Sequence, residues 1–200
     1  MYKNYFKRVL DFIISLLFMP FLIVIILIVG LVIKIEDRGP AFYSAKRLGK
    51  NGSTYKMYKF RTMKVNAPDI RNEDGSTFNA ENDTRLLKSG KLLRKLSIDE
   101  LPQLINVFKG NMSIIGPRPD LPETINMYTK LQRKKLEVKP GITGYTQAYF
   151  RNSILQEEKF DFDAEYARNV SFSQDLAILI KTFRTVIFKE NVYKGDSYGK

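Results

Sequence analysis

The chain contains no cysteine and no histidine. Without cysteine there are no disulfides, no Cys/His zinc sites and no thiol nucleophile. Without histidine there is no imidazole base and no phosphohistidine chemistry. An enzyme built from this sequence draws its nucleophile and proton carriers from Asp, Glu, Ser, Thr, Lys or Tyr. Acid is also scarce relative to base: 21 Asp+Glu face 33 Lys+Arg, a net charge of +12. That excess calls for an anionic partner, which leaves phosphate groups, a lipid surface or nucleic acid. Residues 1–35 contribute +3, leaving +9 for the rest. A length of 200 residues suits one domain with an appendage.

What is there begins with grease. From Phe12 to Ile33 the chain carries no charge, and only Ser15, Pro20 and Gly30 interrupt the apolar run. As a straight helix it would be ~33 Å long, enough for a hydrocarbon core of roughly 30 Å. Pro20 removes a backbone donor and clashes with the preceding turn, which predicts a kink. Neither limb then spans alone. Both flanks are basic, with Lys3, Lys7 and Arg8 before the run and Lys34 and Arg38 after it. Basic flanks read as cytoplasmic, so a kinked span and a helix that re-enters the same face both stay open on composition.

The body reads as mixed and helix-rich. Residues 41–60 carry β-branched and aromatic residues around Gly49-Lys50-Asn51-Gly52, which predicts a hairpin. Residues 66–83 are polar and predict an exposed loop, and the spacing of Leu86–Leu96 predicts a helix. Leu101, Leu104, Ile105 and Phe108 give the next helix an apolar face that Gly110 ends. Just before it, Ser97 and Glu100 match a capping box, and the acids Asp99 and Glu100 suit a helix start for purely structural reasons. In Gly116-Pro117-Arg118-Pro119 two prolines hold Arg118 on a stiff turn, either as a phosphate ligand or as a solvated surface residue. Lys139-Pro140-Gly141-Ile142-Thr143-Gly144 reads as a second Pro/Gly turn, with Arg151 shortly after. Helices are expected from Glu157 through Tyr166 and over Phe172–Phe188, the latter core-packed with a partial interfacial role.

Taken in order, these segments resemble a known family. The Pro-broken apolar run, Tyr58-Lys59-Phe60-Arg61-Thr62-Met63, Leu93-Arg94-Lys95-Leu96-Ser97-Ile98-Asp99-Glu100-Leu101-Pro102-Gln103, Gly116-Pro117-Arg118-Pro119 and Lys139-Pro140-Gly141-Ile142-Thr143-Gly144 closely resemble the bacterial sugar transferases, specifically the small monotopic phosphoglycosyl transferases. The resemblance covers nearly the whole chain. It implies an α/β, helix-rich protein: a Pro-kinked re-entrant membrane helix (1–38) and one small cytoplasmic catalytic domain (39–200) with a short β-hairpin and interfacial helices. It also implies a minimal member with no extra N-terminal membrane domain.

The implied activity moves a sugar-1-phosphate from a nucleoside diphosphate sugar to a polyprenyl (undecaprenyl) phosphate, on the cytoplasmic face of the bacterial inner membrane. By resemblance Asp99 and Glu100 are the catalytic dyad and the ligands of Mg2+, Lys59, Arg94, Arg118 and Arg151 bind substrate, and Pro20 breaks the membrane helix. The expected partners are the nucleotide sugar, the prenyl phosphate and membrane lipid, with no nucleic acid; homo-oligomerisation stays open. One stretch departs from the pattern: family members often carry Trp-Ala-Gln-x-Asn-Gly where this chain reads Gly144-Tyr145-Thr146-Gln147-Ala148-Tyr149-Phe150, which touches the sugar pocket more than the chemistry. The competing reading is a non-catalytic, membrane-anchored basic module binding nucleic acid or anionic lipid. The +9 body supports it; the dispersal of the basic residues and the lack of a nucleic-acid motif oppose it.

Overall fold

A computed structural model describes residues 1–70, 78, 80, 83–151 and 153–188. Most of the polar stretch expected as a loop over 66–83 lies outside them. A single π-type turn at Tyr2–Phe6 leads into α1 (Lys7–Glu36), and Pro20 lies inside that helix. Together they form one helix long and apolar enough to cross a membrane. Most of its leucines, isoleucines and phenylalanines face outward; Leu17, Phe21 and Leu27 are 65–68% exposed. At ~1.5–3 kcal/mol per large apolar side chain, leaving that surface in water is unfavourable by tens of kcal/mol.

Strands β1 (Phe42–Leu48) and β2 (Thr54–Phe60) form the expected antiparallel hairpin, with Asn51 in the left-handed region at its tip (φ 57). Helix α2 (Lys88–Lys95) follows, then α3 (Gln103–Lys109), whose end is set by Gly110 at φ 86. A side chain at that φ would be strained, so glycine closes the helix. The Pro/Gly segment at 139–144 is more than the turn the sequence suggests. Gly141–Thr143 is strand β4, paired in parallel with β3 (Ser113–Ile115). Three-residue strands carry too little periodicity to be read locally, and their pairing is non-local. Helices α4 (Tyr145–Tyr149), α5 (Gln156–Arg168) and α6 (Phe172–Ile187) complete the described fold.

The core is distributed over small clusters. Ile33 of α1 packs with Phe60, Leu87 and Leu93, so the second half of the apolar helix is docked on the hairpin and α2. Its first half is tied elsewhere. Phe12 stacks on Phe108 at 5.2 Å, and Arg8 donates to the Val107 and Phe108 carbonyls at the end of α3. The buried Asp11 accepts the Ile114 backbone N–H at 2.9 Å. Asp175 of α6 accepts from Lys7, from the Tyr2 hydroxyl at 2.7 Å and from the Tyr166 hydroxyl at 2.6 Å. At the opposite end Glu36 accepts the Lys88 and Ser89 N–H groups (2.6 and 3.0 Å), capping α2 from outside it. Arg61 pairs with Asp37.

Candidate active site

Lys59 reaches the site from β2. One edge of that strand is held by β1, and the other is closed by a side chain. Asn106 of α3 accepts the Tyr58 N–H at 3.0 Å and donates to the Lys56 carbonyl at 2.7 Å. It is almost fully buried. A single amide thereby locks the hairpin against the helix that follows the dyad, and fixes where the Lys59 stem starts.

Asp99 and Glu100 sit in a 3₁₀ turn (Ile98–Glu100), one step ahead of α3. The expected capping box is not formed. Ser97 takes the left-handed conformation (φ 56) and makes no side-chain cap; its hydroxyl instead accepts from Arg151 Nη2 at 3.3 Å. Glu100 is drawn outward to Lys59. A full ammonium outweighs a backbone N–H as a partner for a carboxylate, so the tertiary contact overrides the local motif.

Arg94 arrives from α2. Gly90 packs so closely there that a Cβ would collide with the Thr62 carbonyl oxygen. This approach lets Arg94 Nε donate to Thr62 Oγ1 at 3.0 Å. Arg118 projects an exposed side chain from its proline-framed turn, while its backbone N–H donates to Asp163 Oδ2 at 3.2 Å. Arg151 is itself left-handed at φ 50 and its N–H donates to the Thr146 carbonyl at 2.9 Å.

The two carboxylates end in different electrostatic states. Burial pushes the Asp99 carboxyl up to about 6; the neighbouring Glu100 adds to this, while Lys59 and Arg94 oppose it. Both act at a distance, and among the described residues no side chain donates a hydrogen bond to it. Burial also acts to raise Glu100, but Lys59, Arg118 and Arg151 outweigh it and hold that carboxyl below its ordinary value. Every basic residue singled out in the sequence therefore acts on the dyad: Arg94 on Asp99, Arg118 and Arg151 on Glu100, and Lys59 on both. Pro20 lies apart, within the apolar helix.

Adjacent carboxylates pushed to different protonation tendencies are an arrangement suited to dividing nucleophilic and acid–base work. Among the described residues no cluster of three or more acidic side chains could hold a metal on its own. Asp99 and Glu100 offer two, a number that suits an ion completing its shell with substrate phosphate and water. The sequence assigned no role to Thr62, Asn106, Asp163 or Thr146, because each acts through a partner distant in the chain.

Comparison with known proteins gives the context. Residues 2–189 match the family described as bacterial sugar transferase. The chain is 43% identical to the uncharacterized sugar transferase EpsL of Bacillus subtilis, over 93% of this chain and 89% of that protein. It is 35% identical to the undecaprenyl-phosphate galactose phosphotransferase of Salmonella typhimurium, over 96% of this chain but 42% of the relative. It is 33% identical to the UDP-N-acetylgalactosamine-undecaprenyl-phosphate N-acetylgalactosaminephosphotransferase of Aeromonas hydrophila, over 92% and 44% respectively. The chain thus spans less than half the length of the latter two. A family match covers nearly the whole sequence, and the non-catalytic basic module gives way: the chain belongs to the bacterial sugar transferase family and is a phosphoglycosyl transferase enzyme.

Proposed function

We propose that the enzyme transfers a sugar-1-phosphate from a UDP-linked N-acetylated hexose to undecaprenyl phosphate, releasing UMP, as the first membrane step of a bacterial glycan assembly. The observation that carries this reading is the asymmetry of the dyad. Asp99 is buried and, among the described residues, accepts no hydrogen bond from a cationic side chain, whereas Lys59 pairs with Glu100 and holds it ionised.

A carboxylate nucleophile divides the transfer into two displacements, so the soluble donor and the lipid acceptor need not meet. In the first, an Asp99 oxygen attacks the β-phosphorus. The bond from that phosphorus to the bridging oxygen breaks, and UMP leaves with the electron pair. In the second, an oxygen of the prenyl phosphate attacks the same phosphorus and Asp99 departs as carboxylate. Glu100, as a carboxylate, would take up the proton of a prenyl phosphate monoanion, with Lys59, already an ammonium, balancing charge beside Arg94, Arg118 and Arg151. Mg2+ fits the two carboxylates, and when bound it would supply further neutralisation of the diphosphate.

For the membrane we propose re-entry at Pro20, with the body on the cytoplasmic face of the inner membrane. Support comes from the way both ends of α1 are tied to one body. Asp11 bonds to Ile114 near the start, and Glu36 caps α2 at the end. A straight span would place these ends on opposite sides of a core roughly 30 Å thick. Along α6, Phe172, Leu176, Ile180, Phe183 and Ile187 are exposed, and Phe172 meets Tyr2 at 5.8 Å between ring centroids. That stripe extends the apolar surface of α1 and suits a helix lying in the interface.

The test is a screen of nucleotide sugars with purified enzyme and undecaprenyl phosphate, reading UMP release. Omitting the prenyl phosphate should leave sugar radiolabel on Asp99, and Asp99→Asn should abolish it. An adduct on Glu100, or sequential kinetics without any adduct, overturns the assignment.

A further inference from the structure

Asp163 of α5 is only 1% exposed, yet its carboxylate contacts parts of the molecule that carry the site. Oδ2 accepts the backbone N–H of Arg118 (3.2 Å) and the ammonium of Lys135 (2.9 Å). Oδ1 accepts the hydroxyl of Thr146 at 2.9 Å. The Thr146 carbonyl in turn accepts the N–H groups of Phe150 and Arg151, at 3.1 and 2.9 Å. One buried side chain therefore touches the backbone of one arginine and, one residue removed, the backbone of another. Both arginines lower the same dyad member, Glu100.

Lys135 makes the burial of this charge tolerable. It is 3% exposed, pairs with Asp120 at 2.6 Å as well as with Asp163, and lies over the Tyr128 and Phe160 rings at 5.5 and 5.0 Å. Two carboxylates share this one ammonium, and burial pushes the Asp163 carboxyl above its ordinary value. The remaining donors that satisfy Asp163 are the Arg118 N–H and the Thr146 hydroxyl. A buried ion pair is a weak source of net stability compared with apolar packing of the same volume. What it does supply here is placement, because the acceptors stand at fixed points relative to α5.

We infer that Asp163 is a positioning residue that sets Arg118 and Arg151 together from one buried carboxylate, so that both guanidinium groups meet the donor diphosphate in register. This rests on the proposed transfer reaction, since it supposes that the two arginines serve the donor. Asn at this position keeps the shape but replaces one acceptor oxygen with an amide donor, so the Arg118 N–H and the Thr146 hydroxyl can no longer both be served as before.

The experiment uses the full-length enzyme in membranes or detergent, with wild type, Asp163→Asn and Thr146→Val assayed side by side for UMP release. For Asp163→Asn the expected result is an increase of about tenfold in the donor KM, the size of effect that follows from misplacing charge-assisted contacts. The KM for undecaprenyl phosphate should be unchanged. Thr146→Val severs only the arm toward Arg151. It should raise the donor KM less, and its effect should vanish in an Arg151→Ala background, whereas it should persist in an Arg118→Ala background. An unchanged donor KM in both variants overturns the inference, as does a matched loss for both substrates, which would mark Asp163 as a purely structural residue. Should Asp163→Asn fail to fold, the Thr146→Val pair of backgrounds decides alone. A wild type that releases no nucleotide from any donor overturns the transfer reaction itself, an outcome distinct from an active wild type with indifferent variants.

Discussion

Lys59 pairs with Glu100 and not with the adjacent Asp99. Consecutive residues of a 3₁₀ turn point about 120° apart, so one ammonium cannot serve both carboxylates equally. Glu100 takes the contact and stays ionised; Asp99 remains buried and is pushed the other way. Two like residues thereby become chemically distinct through one hydrogen-bond choice.

The first expected consequence is a pH profile. Asp99 attacks as a carboxylate, and burial lifts its carboxyl to about 6. The kcat/KM for the donor should fall on the acid side of about pH 6, and the limb should disappear from the profile of any residual activity in Asp99→Asn. A limb that stays near pH 4 would be inconsistent with an isolated, buried Asp99.

Stability should move in the opposite sense. The native carboxyl binds its proton more tightly than the unfolded one, whose value is about 3.9. Between these values the native state carries more protons, so its stability declines as pH rises from about 4 to about 6 and levels off above. Asp99→Asn removes that buried charge. It should raise stability at pH 8 by roughly 1–3 kcal/mol while abolishing transfer, measured by thermal unfolding in detergent without donor or metal.

Arg118→Lys keeps the charge and loses the fork. Because the side chain is exposed and the flanking prolines hold the turn, stability should change by less than about 0.5 kcal/mol. Use of the donor should fall by about tenfold in kcat/KM. Steady-state kinetics with varied nucleotide sugar read this directly, and unchanged constants would reduce Arg118 to a surface residue.

Asn106→Leu should cost far more stability. It leaves the Tyr58 N–H and the Lys56 carbonyl without their partner at a strand edge covered by α3. At ~1–3 kcal/mol for each unsatisfied group, a loss of roughly 2–6 kcal/mol follows. Denaturation of the variant measures it, and activity at low temperature, where the variant is folded, should still fall because Lys59 rides on the same strand.

The topology is accessible through the absence of native cysteine. Asn4 and Arg38 are both exposed and flank the apolar helix. Single cysteines at the two positions should react with a membrane-impermeant reagent only from the cytoplasmic side. Labelling from opposite sides would refute re-entry.

Much of the framework was legible because its causes are local. The apolar run over 12–33 declares itself by length, the hairpin by β-branched and aromatic residues around Gly49-Lys50-Asn51-Gly52, and the end of α3 by Gly110. The dyad and its four bases were found through resemblance to a family, since spacing alone favoured a capping box at Ser97 and Glu100. That box failed for a reason no local rule contains: Lys59 comes from a different element and binds Glu100 more strongly than a backbone donor can. The pairing of β3 with β4 was missed likewise, as was Asp163, an ordinary acid in the pattern of a surface helix until Lys135, Thr146 and Arg118 converge on it.

The sequence by itself determined which chemistries are excluded, where the apolar helix lies and that the body is basic, because composition and short-range periodicity act without reference to the rest of the chain. Only the tertiary structure decided which carboxylate is paired, which is buried and which buried acid accepts the Arg118 N–H. Electrostatic interaction and desolvation depend on distance and depth in space, and residues from β2, α2 and the turns after β3 and after α4 acquire those only when the chain is folded.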